Sequence, residues 1–143
     1  MTMSTSPAMP SVLFVCVHNA VRSQMAAGWL THLAGERIEV RSASSTPSDA
    51  INPAAITAMA EVGIGIAGER PKLLSTDTVR ASDVCITMGY GDTCPVFPGK
   101  HYLDWPVKDP EGQNLEDVRP IRDQIRVLVE NLISEITPVG SAN

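Results

Sequence analysis

Residues 12–29 read Val-Leu-Phe-Val-Cys-Val-His-Asn-Ala-Val-Arg-Ser-Gln-Met-Ala-Ala-Gly-Trp, and this stretch decides the fold. It begins with an unbroken apolar run, Val12 to Val15, which predicts a strand buried on both faces, as in parallel sheets. It ends with residues 23–33, where apolar side chains recur at helical spacing. A buried strand, a short loop and an amphipathic helix therefore follow one another directly, which indicates the first unit of a parallel α/β sheet.

The rest of the chain predicts three more strands and three more helices. The strands are expected at 38–42, 83–87 and 101–103, and the helices at 53–62, 77–81 and 120–136. Asn52 and Ser75 are the expected caps of the second and third helices, and Gly35 is the expected C-cap of the first. Pro120 is expected in the first turn of the last helix; a start at Leu115 with a kink is the alternative. Strands that alternate with helices predict a single-domain three-layer α/β sandwich, with a central four-stranded parallel sheet and helices on both faces.

Composition fits one ordinary globular domain. The chain has 143 residues, of which 43% are hydrophobic and 19% charged, and its formal net charge is −5. We expect a domain at 11–137 between a flexible N-terminal tail, 1–10, and a C-terminal tail, 138–143. The negative charge argues against nucleic-acid binding, and no apolar run is long enough to span a membrane. Three cysteines argue against a disulfide scaffold and favour a cytoplasmic location.

The loop between the first strand and the first helix has the residue types of an oxyanion site. Cys16 begins this loop and Arg22 ends it, with five residues between them. A strand, a tight loop and a helix start bring backbone N–H groups around one point, which also faces the positive end of the helix dipole. This position and Arg22 both favour the thiolate of Cys16. Ser23 is expected either to cap the helix or to donate its hydroxyl to the Cys16 sulfur.

The motif Cys16-Val-His-Asn-Ala-Val-Arg-Ser-Gln, with Asp109-Pro110 downstream, resembles the low-molecular-weight protein tyrosine phosphatase superfamily. Within that superfamily the chain is most similar to the arsenate reductases. The phosphatases usually have Pro after the Arg-Ser pair and an aromatic residue after Asp-Pro, where this chain has Gln24 and Glu111. The likeness covers residues 12–136, nearly the whole chain.

This resemblance implies a role for each site residue. Cys16 is the nucleophile, Arg22 binds the oxyanion, and Asp109 is the general acid; a solvated turn is the alternative for Asp109. The implied oxyanion-binding residues are Val17, His18, Asn19, Ala20, Val21, Arg22 and Ser23. Asn19 is expected to hold the loop, because Asn tolerates positive φ and can bond the loop backbone. Some thioredoxin-coupled relatives bind potassium through a Glu where this chain has Ala27, so we predict no metal.

The other two cysteines decide which reductant the resemblance implies. Cys85 lies in an apolar run and is expected to be a core thiol. Cys94 lies in a loop and is a possible resolving thiol, but the middle cysteine of a three-cysteine relay would fall near Gly89, where there is none. The segment 86–95 is instead similar to relatives that use mycothiol. We therefore predict an arsenate-mycothiol transferase that binds no cofactor and has a mycoredoxin partner.

Several alternatives stay open at this point. A thioredoxin-coupled relay from Cys16 to Cys94, a tyrosine phosphatase and a non-catalytic oxyanion-binding protein all fit the same loop. The sequence also leaves a homodimer open. Among the remaining polar residues, His18 is expected to face solvent, and Asp104 is a weaker rival to Asp109. Trp105 is expected to line the site, the core or a lid. Surface positions are predicted for His32 and His101.

Overall fold

The structure is a computed structural model that describes residues 10–16, 18–88, 101–108 and 114–136. Its strands are β1 (Ser11–Val15), β2 (Glu39–Ala43), β3 (Val84–Thr87) and β4 (His101–Asp104). Its helices are α1 (Arg22–Ala34), α2 (Pro53–Ala60), α3 (Thr76–Arg80) and α4 (Leu115–Ile136), and a short 3-10 turn, Gly35–Arg37, follows α1. Each predicted element is present, and no boundary differs from the predicted one by more than five residues.

The four strands form one parallel sheet in the order β2-β1-β3-β4. β1 is central, and its Phe14 lies between Ser42 of β2 and Ile86 of β3. All five residues of β1 are buried, as the apolar run predicts. β4 is an edge strand, and three of its four residues are exposed.

The two faces of the sheet are covered by different helices. Val12 and Phe14 of β1 join one core cluster with α1, α2 and α4. Leu13 and Val15 point to the other face and pack with Val79 of α3 in a second, smaller cluster. Successive strand residues alternate between faces, so a single buried strand supplies both cores. The predicted three-layer sandwich is confirmed.

The three predicted helix caps, at Asn52, Ser75 and Gly35, are confirmed. The Asn52 side chain accepts a hydrogen bond from the Ala54 N–H at 2.9 Å and caps α2. Ser75 caps α3 by accepting from the Thr78 N–H at 3.1 Å. Gly35 ends α1 with a φ of 61°, a backbone conformation that glycine adopts without steric cost.

The favoured start of α4 is wrong. The helix begins at Leu115 and contains Pro120 in its second turn, as the alternative has it. Asn114 accounts for this start, because its side-chain oxygen accepts a hydrogen bond from the Asp117 N–H at 3.1 Å. An Asn cap followed by acidic residues in the first turn stabilises a helix start enough to tolerate a proline one turn later.

Both tail predictions stay predictions, because residues 1–9 and 137–143 lie outside the described residues. At the start of the described chain, the Pro10 carbonyl accepts a hydrogen bond from the Glu39 N–H at 2.8 Å. None of the helices in the described ranges is both long and apolar enough to cross a membrane.

Candidate active site

The strand order places Cys16 at the natural ligand position of this sheet. The chain leaves β1 toward β2 on one side and later returns to β3 on the other. Ligands of open parallel sheets bind at the carboxyl ends of the strands where the order reverses, which here is between β1 and β3. Cys16 directly follows β1, and Met88 directly follows β3. The predicted nucleophile therefore lies at the switch point.

The Cys16 sulfur receives its closest described contacts from Ser23. The Ser23 hydroxyl oxygen is 2.9 Å from Sγ, and the Ser23 backbone N–H donates to Sγ at 3.4 Å. Ser23 is the second residue of α1, so the sulfur faces the helix N-terminus, and Cys16 is only 4% exposed. No side chain caps α1, so of the two predicted contacts of Ser23 the one with the sulfur is observed.

Asn19 determines which way the Ser23 hydroxyl points. Its side-chain oxygen accepts from the Lys72 backbone N–H at 2.8 Å, and its side-chain nitrogen donates to Ser23 Oγ at 2.6 Å. A backbone N–H can only donate, which identifies the Asn19 oxygen and leaves the nitrogen facing Ser23. Ser23 Oγ accepts from Asn19 and keeps its own proton, and an ionised Cys16 sulfur, which can only accept, takes the hydrogen bond from that proton. Two donors toward one sulfur stabilise a thiolate.

The backbone of the loop is held with its carbonyl groups turned outward. The carbonyl oxygens of His18, Asn19 and Ala20 accept hydrogen bonds from Ser48 N–H at 3.0 Å, the Gln24 side chain at 3.2 Å and Asn52 N–H at 3.1 Å. In a trans peptide the C=O of one residue and the N–H of the next point in opposite directions. The N–H groups of residues 19–21 therefore point away from these three partners. Asn19 has a φ of 53°, the positive value expected of Asn in such a loop.

Arg22 is buried at the same end of the sheet. It is 3% exposed, and its Nη1 donates to the Met88 carbonyl and, at 3.1 Å, to the Val107 carbonyl. These carbonyls follow β3 and β4, so the guanidinium is oriented by two strand ends that are far from it in sequence. A buried, oriented guanidinium is a suitable donor for two oxygens of a tetrahedral anion.

The remaining predicted residues divide between the site and the rest of the molecule. His18 is half-buried rather than fully solvent-facing, and its Nδ1 lies 3.1 Å from the Thr46 carbonyl. Trp105 packs in the core, with its ring centroid 5.7 Å from that of Phe14.

Cys85 is 2% exposed, as predicted for a core thiol. Asp104 is exposed and accepts from the Thr87 hydroxyl at 2.7 Å. His32 and His101 are exposed, as predicted.

Three predicted site residues, Val17, Cys94 and Asp109, lie outside the described residues. The described stretch 101–108 ends at Lys108, the residue before Asp109 and the one after Val107, whose carbonyl contacts Arg22. The predicted roles of Asp109 and Cys94 therefore stay predictions. Within the described ranges, no group of three or more His, Cys, Asp or Glu side chains is placed to hold a metal ion.

Sequence reasoning missed the contribution of Gln24, which it used only as a mark of the family. Gln24 is 2% exposed, and its side-chain nitrogen lies near both oxygens of Asn19 and near the Arg70 carbonyl. It also lines a cavity of about 600 Å³ between α1, β2 and residues 63–73, which neither Cys16 nor Arg22 lines. The partners of Gln24 are distant in sequence, so no local pattern signals them.

Comparison with known proteins supports the resemblance. The sequence model of the family described as "Low molecular weight phosphotyrosine protein phosphatase" matches residues 11–139. The chain is 38% identical over 132 residues to a glutaredoxin arsenate reductase of Synechocystis, which covers 90% of this chain and 100% of that protein. It is 34% identical to an arsenate reductase of Staphylococcus xylosus, over 85% of this chain and 94% of that one.

Solved structures give the same result. A thioredoxin-dependent arsenate reductase of Corynebacterium glutamicum has a TM-score of 0.81 and 44% identity, over 94% of this chain; this chain spans 64% of that one. A low molecular weight protein tyrosine phosphatase of T. tengcongensis has a TM-score of 0.79 and 25% identity, over 89% of this chain and 99% of that one. The predicted superfamily is confirmed: the chain belongs to the low molecular weight phosphotyrosine protein phosphatase family.

Proposed function

We propose that this protein is an arsenate reductase that detoxifies arsenate in the cytoplasm. The observation that carries the proposal is the Cys16 sulfur at the switch point of the sheet, 2.9 Å from the Ser23 hydroxyl and at the start of α1. Relatives with this fold are named arsenate reductases, including those of Synechocystis and Staphylococcus. Gln24, where phosphatases usually have Pro, is built into the site through Asn19.

The proposed binding mode uses the loop backbone and Arg22. Arsenate carries negative charge on several oxygens, and the N–H groups of residues 19–21 and the helix N-terminus are donors that suit such an ion. Arg22 supplies a further charged donor, oriented by the Met88 and Val107 carbonyls. Since phosphate has the same shape and charge, this loop recognises the class of tetrahedral oxyanions rather than arsenic itself.

The proposed first step is covalent. The Cys16 thiolate attacks arsenic, a sulfur–arsenic bond forms, and an arsenic–oxygen bond breaks. Asp109 donates a proton, so that the departing oxygen leaves as water. The contact between Arg22 and the Val107 carbonyl supports this role, because it brings the chain to within two residues of Asp109 on the side of the guanidinium.

In the proposed second stage the reductant is an external thiol, mycothiol. Its sulfur bonds to arsenic while the bond between arsenic and Cys16 breaks, which regenerates the thiolate. A mycoredoxin thiol then attacks the mycothiol sulfur, and the electron pair of the sulfur–arsenic bond reduces arsenic to arsenite. Two thiols supply the two electrons and become a mixed disulfide. Apart from Cys16, the one described cysteine is Cys85, which packs in the smaller core cluster, apart from the cluster that contains Cys16, so the described part of the chain brings no second thiol to the site.

A second candidate is a thioredoxin-coupled relay through Cys94. The Corynebacterium protein, which shares 44% identity with this chain, is named a thioredoxin-dependent arsenate reductase, and this favours the alternative. In the relay the Cys94 thiol attacks the Cys16 sulfur, arsenite leaves with the electron pair, and a Cys16–Cys94 disulfide forms. Such a disulfide requires the two Cα atoms to come within about 7 Å.

The deciding experiment measures arsenite release from arsenate with two reductant systems, mycothiol with mycoredoxin and thioredoxin with its reductase. Wild type and Cys94→Ser are compared in both. The expected result is turnover only in the system of mycothiol with mycoredoxin, at a rate that is unchanged in Cys94→Ser. Turnover with thioredoxin that is lost in Cys94→Ser would establish the relay instead.

Failure with both reductants would overturn the arsenate reductase proposal. Steady hydrolysis of an aryl phosphate by the same preparation would then identify a phosphatase, the activity named for the T. tengcongensis relative. Arsenate binding without any turnover would identify a non-catalytic oxyanion-binding protein.

A further inference from the structure

Gln24 is a buried polar side chain that joins Asn19 of the reactive loop to Arg70. Its side-chain nitrogen lies 3.2 Å from the Asn19 carbonyl oxygen, 3.2 Å from Asn19 Oδ1 and 3.1 Å from the Arg70 carbonyl oxygen. All three oxygens are acceptors, so the amide orientation of Gln24 is unambiguous: its nitrogen faces them, and its two protons are shared among the three. Gln24 does not contact the Cys16 sulfur itself in any described interaction.

A second donor approaches Asn19 from the same side. The Lys72 backbone N–H donates to Asn19 Oδ1 at 2.8 Å. Gln24 and the segment 70–72 therefore hold the Asn19 oxygen together, and the Arg70 carbonyl holds Gln24 in turn. Rotation of the Asn19 amide would place its NH₂ group against two donors, which is unfavourable in a site that excludes water.

Gln24 acts on the Cys16 sulfur indirectly, through the side chains of Asn19 and Ser23. A fixed Asn19 oxygen fixes the Asn19 nitrogen on Ser23 Oγ, at 2.6 Å. The Ser23 oxygen is then an acceptor from Asn19, and its proton remains for Cys16 Sγ, at 2.9 Å, which as a thiolate can only accept. We propose that Gln24 is a positioning residue of this enzyme, which keeps the Ser23 hydroxyl donating to the Cys16 thiolate by locking the Asn19 amide against segment 70–72. The inference rests on the proposed function only in taking Cys16 as the nucleophile.

The test measures the thiolate without using arsenate. Wild type, Gln24→Met and Gln24→Glu are treated with iodoacetamide, and alkylation of Cys16 is followed by peptide mass spectrometry at about pH 7 and about pH 10, below and above the usual thiol pKa. Met removes the donor at nearly constant volume, and Glu places acceptor oxygens against three acceptors. Gln124→Met is the matched control, because Gln124 is exposed on α4.

We expect Cys16 of both Gln24 variants to react about 5- to 30-fold more slowly than that of wild type near pH 7, the effect of one lost buried hydrogen bond. Near pH 10 the rates should converge, since thiols are then ionised regardless of their neighbours. Gln124→Met should match wild type at both pH values. Wild-type rates near pH 7, or equal slowing at both pH values, would overturn the proposal, because the second result indicates altered access to the sulfur.

A second pair of variants tests the same orientation of the Asn19 amide by changing its partner in segment 70–72. Lys72→Pro removes the backbone N–H that Asn19 accepts, whereas Lys72→Ala keeps it. Slower alkylation near pH 7 in the proline variant alone supports the proposal, and equal rates in the two variants contradict it. This pair decides the question if the Gln24 variants fail to fold. Iodoacetamide needs neither arsenate nor a reductant, so failure of the arsenate assay would leave this result intact.

Discussion

Two networks of polar side chains in this molecule both consist of short hydrogen bonds, but they differ in function. The active-site network consists of Cys16, Asn19, Arg22, Ser23 and Gln24, each at most 4% exposed. The α2–α4 ion network consists of Glu61, Arg119, Arg122 and Asp123 and lies where these two helices meet. The first is built largely of neutral donors and acceptors; the second is built of full charges.

The α2–α4 ion network is internally satisfied. Arg119 and Arg122 contact the Glu61 carboxylate at 2.5 and 2.8 Å, and Arg122 also contacts Asp123 at 2.8 Å. The hydrogen bond from Arg119 is the main cause that lowers the pKa of Glu61 to about 2, and Arg122 adds to it. The side chains of Glu61 and Arg119 are 32% and 44% exposed, so water screens these charges.

The active-site network ends on a reactive atom instead. Each donor in it orients the next, from Gln24 to Asn19 to Ser23, and Ser23 contacts the Cys16 sulfur. Burial excludes water, so a single neutral hydrogen bond there has a larger effect than an exposed ion pair. The comparison teaches that a large pKa shift does not locate the site in this protein; a buried, directed chain of hydrogen bonds does.

The largest loss in this comparison is expected for Arg22→Lys. Lysine keeps the charge but cannot donate from a planar fork to two oxygens. We expect kcat/KM for arsenate to fall by about 10²- to 10³-fold, the usual effect of removing an oxyanion donor. Arg126→Lys is the matched control, since Arg126 is 53% exposed on α4 and pairs with Glu130. Equal losses in both variants would show that the fall in kcat/KM does not depend on the buried position of Arg22.

A smaller loss is expected for Ser23→Ala. The variant removes the hydroxyl that lies 2.9 Å from the sulfur but keeps the Ser23 backbone N–H. A hydrogen bond to a charged group contributes about 1.5–3 kcal/mol, so kcat/KM should fall about 10- to 100-fold. Ser134→Ala, at an exposed position of α4, should leave it unchanged. An unchanged rate in Ser23→Ala would show that the buried hydrogen bonds do not act on the sulfur.

No loss of activity is expected for Glu61→Gln, which breaks the α2–α4 ion network. Its effect should be on stability, with a Tm lower than that of wild type by no more than about 4 °C at neutral pH. Glu135→Gln, at an exposed position near the end of α4, is the control and should leave Tm unchanged. A tenfold fall in kcat/KM for Glu61→Gln would contradict the separation of the two networks.

The effect of Glu61→Gln on stability should depend on pH. The pKa of Glu61 is about 2 in the folded protein against an ordinary value of 4.5, so the unfolded state binds more protons between these pH values. The stabilisation is therefore complete above about pH 4.5 and is lost as the pH falls toward 2. Thermal melts across this range should show the Tm difference between wild type and Glu61→Gln vanishing at the acid end. A difference that keeps its neutral-pH size near pH 2 would rule out the carboxylate charge as its cause.

Local sequence patterns predicted the elements and the place of Cys16, because these follow from periodicity over a few residues. The run 12–15 predicts β1, and the spacing after Ser23 predicts α1, so the loop between them is fixed by its neighbours. The predicted start of α4 at Pro120 is wrong because the cap at Asn114 begins the helix earlier. A proline signals a helix start, but an Asn cap with acidic residues after it signals one as well.

The network behind the loop could not be predicted in the same way. Gln24 bonds to the Arg70 carbonyl, 46 residues away, and Arg22 bonds to the Val107 carbonyl, 85 residues away. Backbone carbonyls carry no sequence signature, so their role as partners appears only when the strands are in place. The residue types of the site were readable from the sequence, whereas the groups that orient them were not.

The most direct test of the central claim is arsenite release from arsenate by Cys16→Ser and by wild type, with the reductant that supports turnover. Cys85→Ala serves as the control, because it removes a buried thiol on the same sheet, away from the site. Circular dichroism and thermal melts establish that each variant is folded. We expect Cys16→Ser to lose more than about 10⁴-fold in kcat, as for other covalent nucleophiles, and Cys85→Ala to keep its activity. Substantial arsenite release by folded Cys16→Ser would contradict the account.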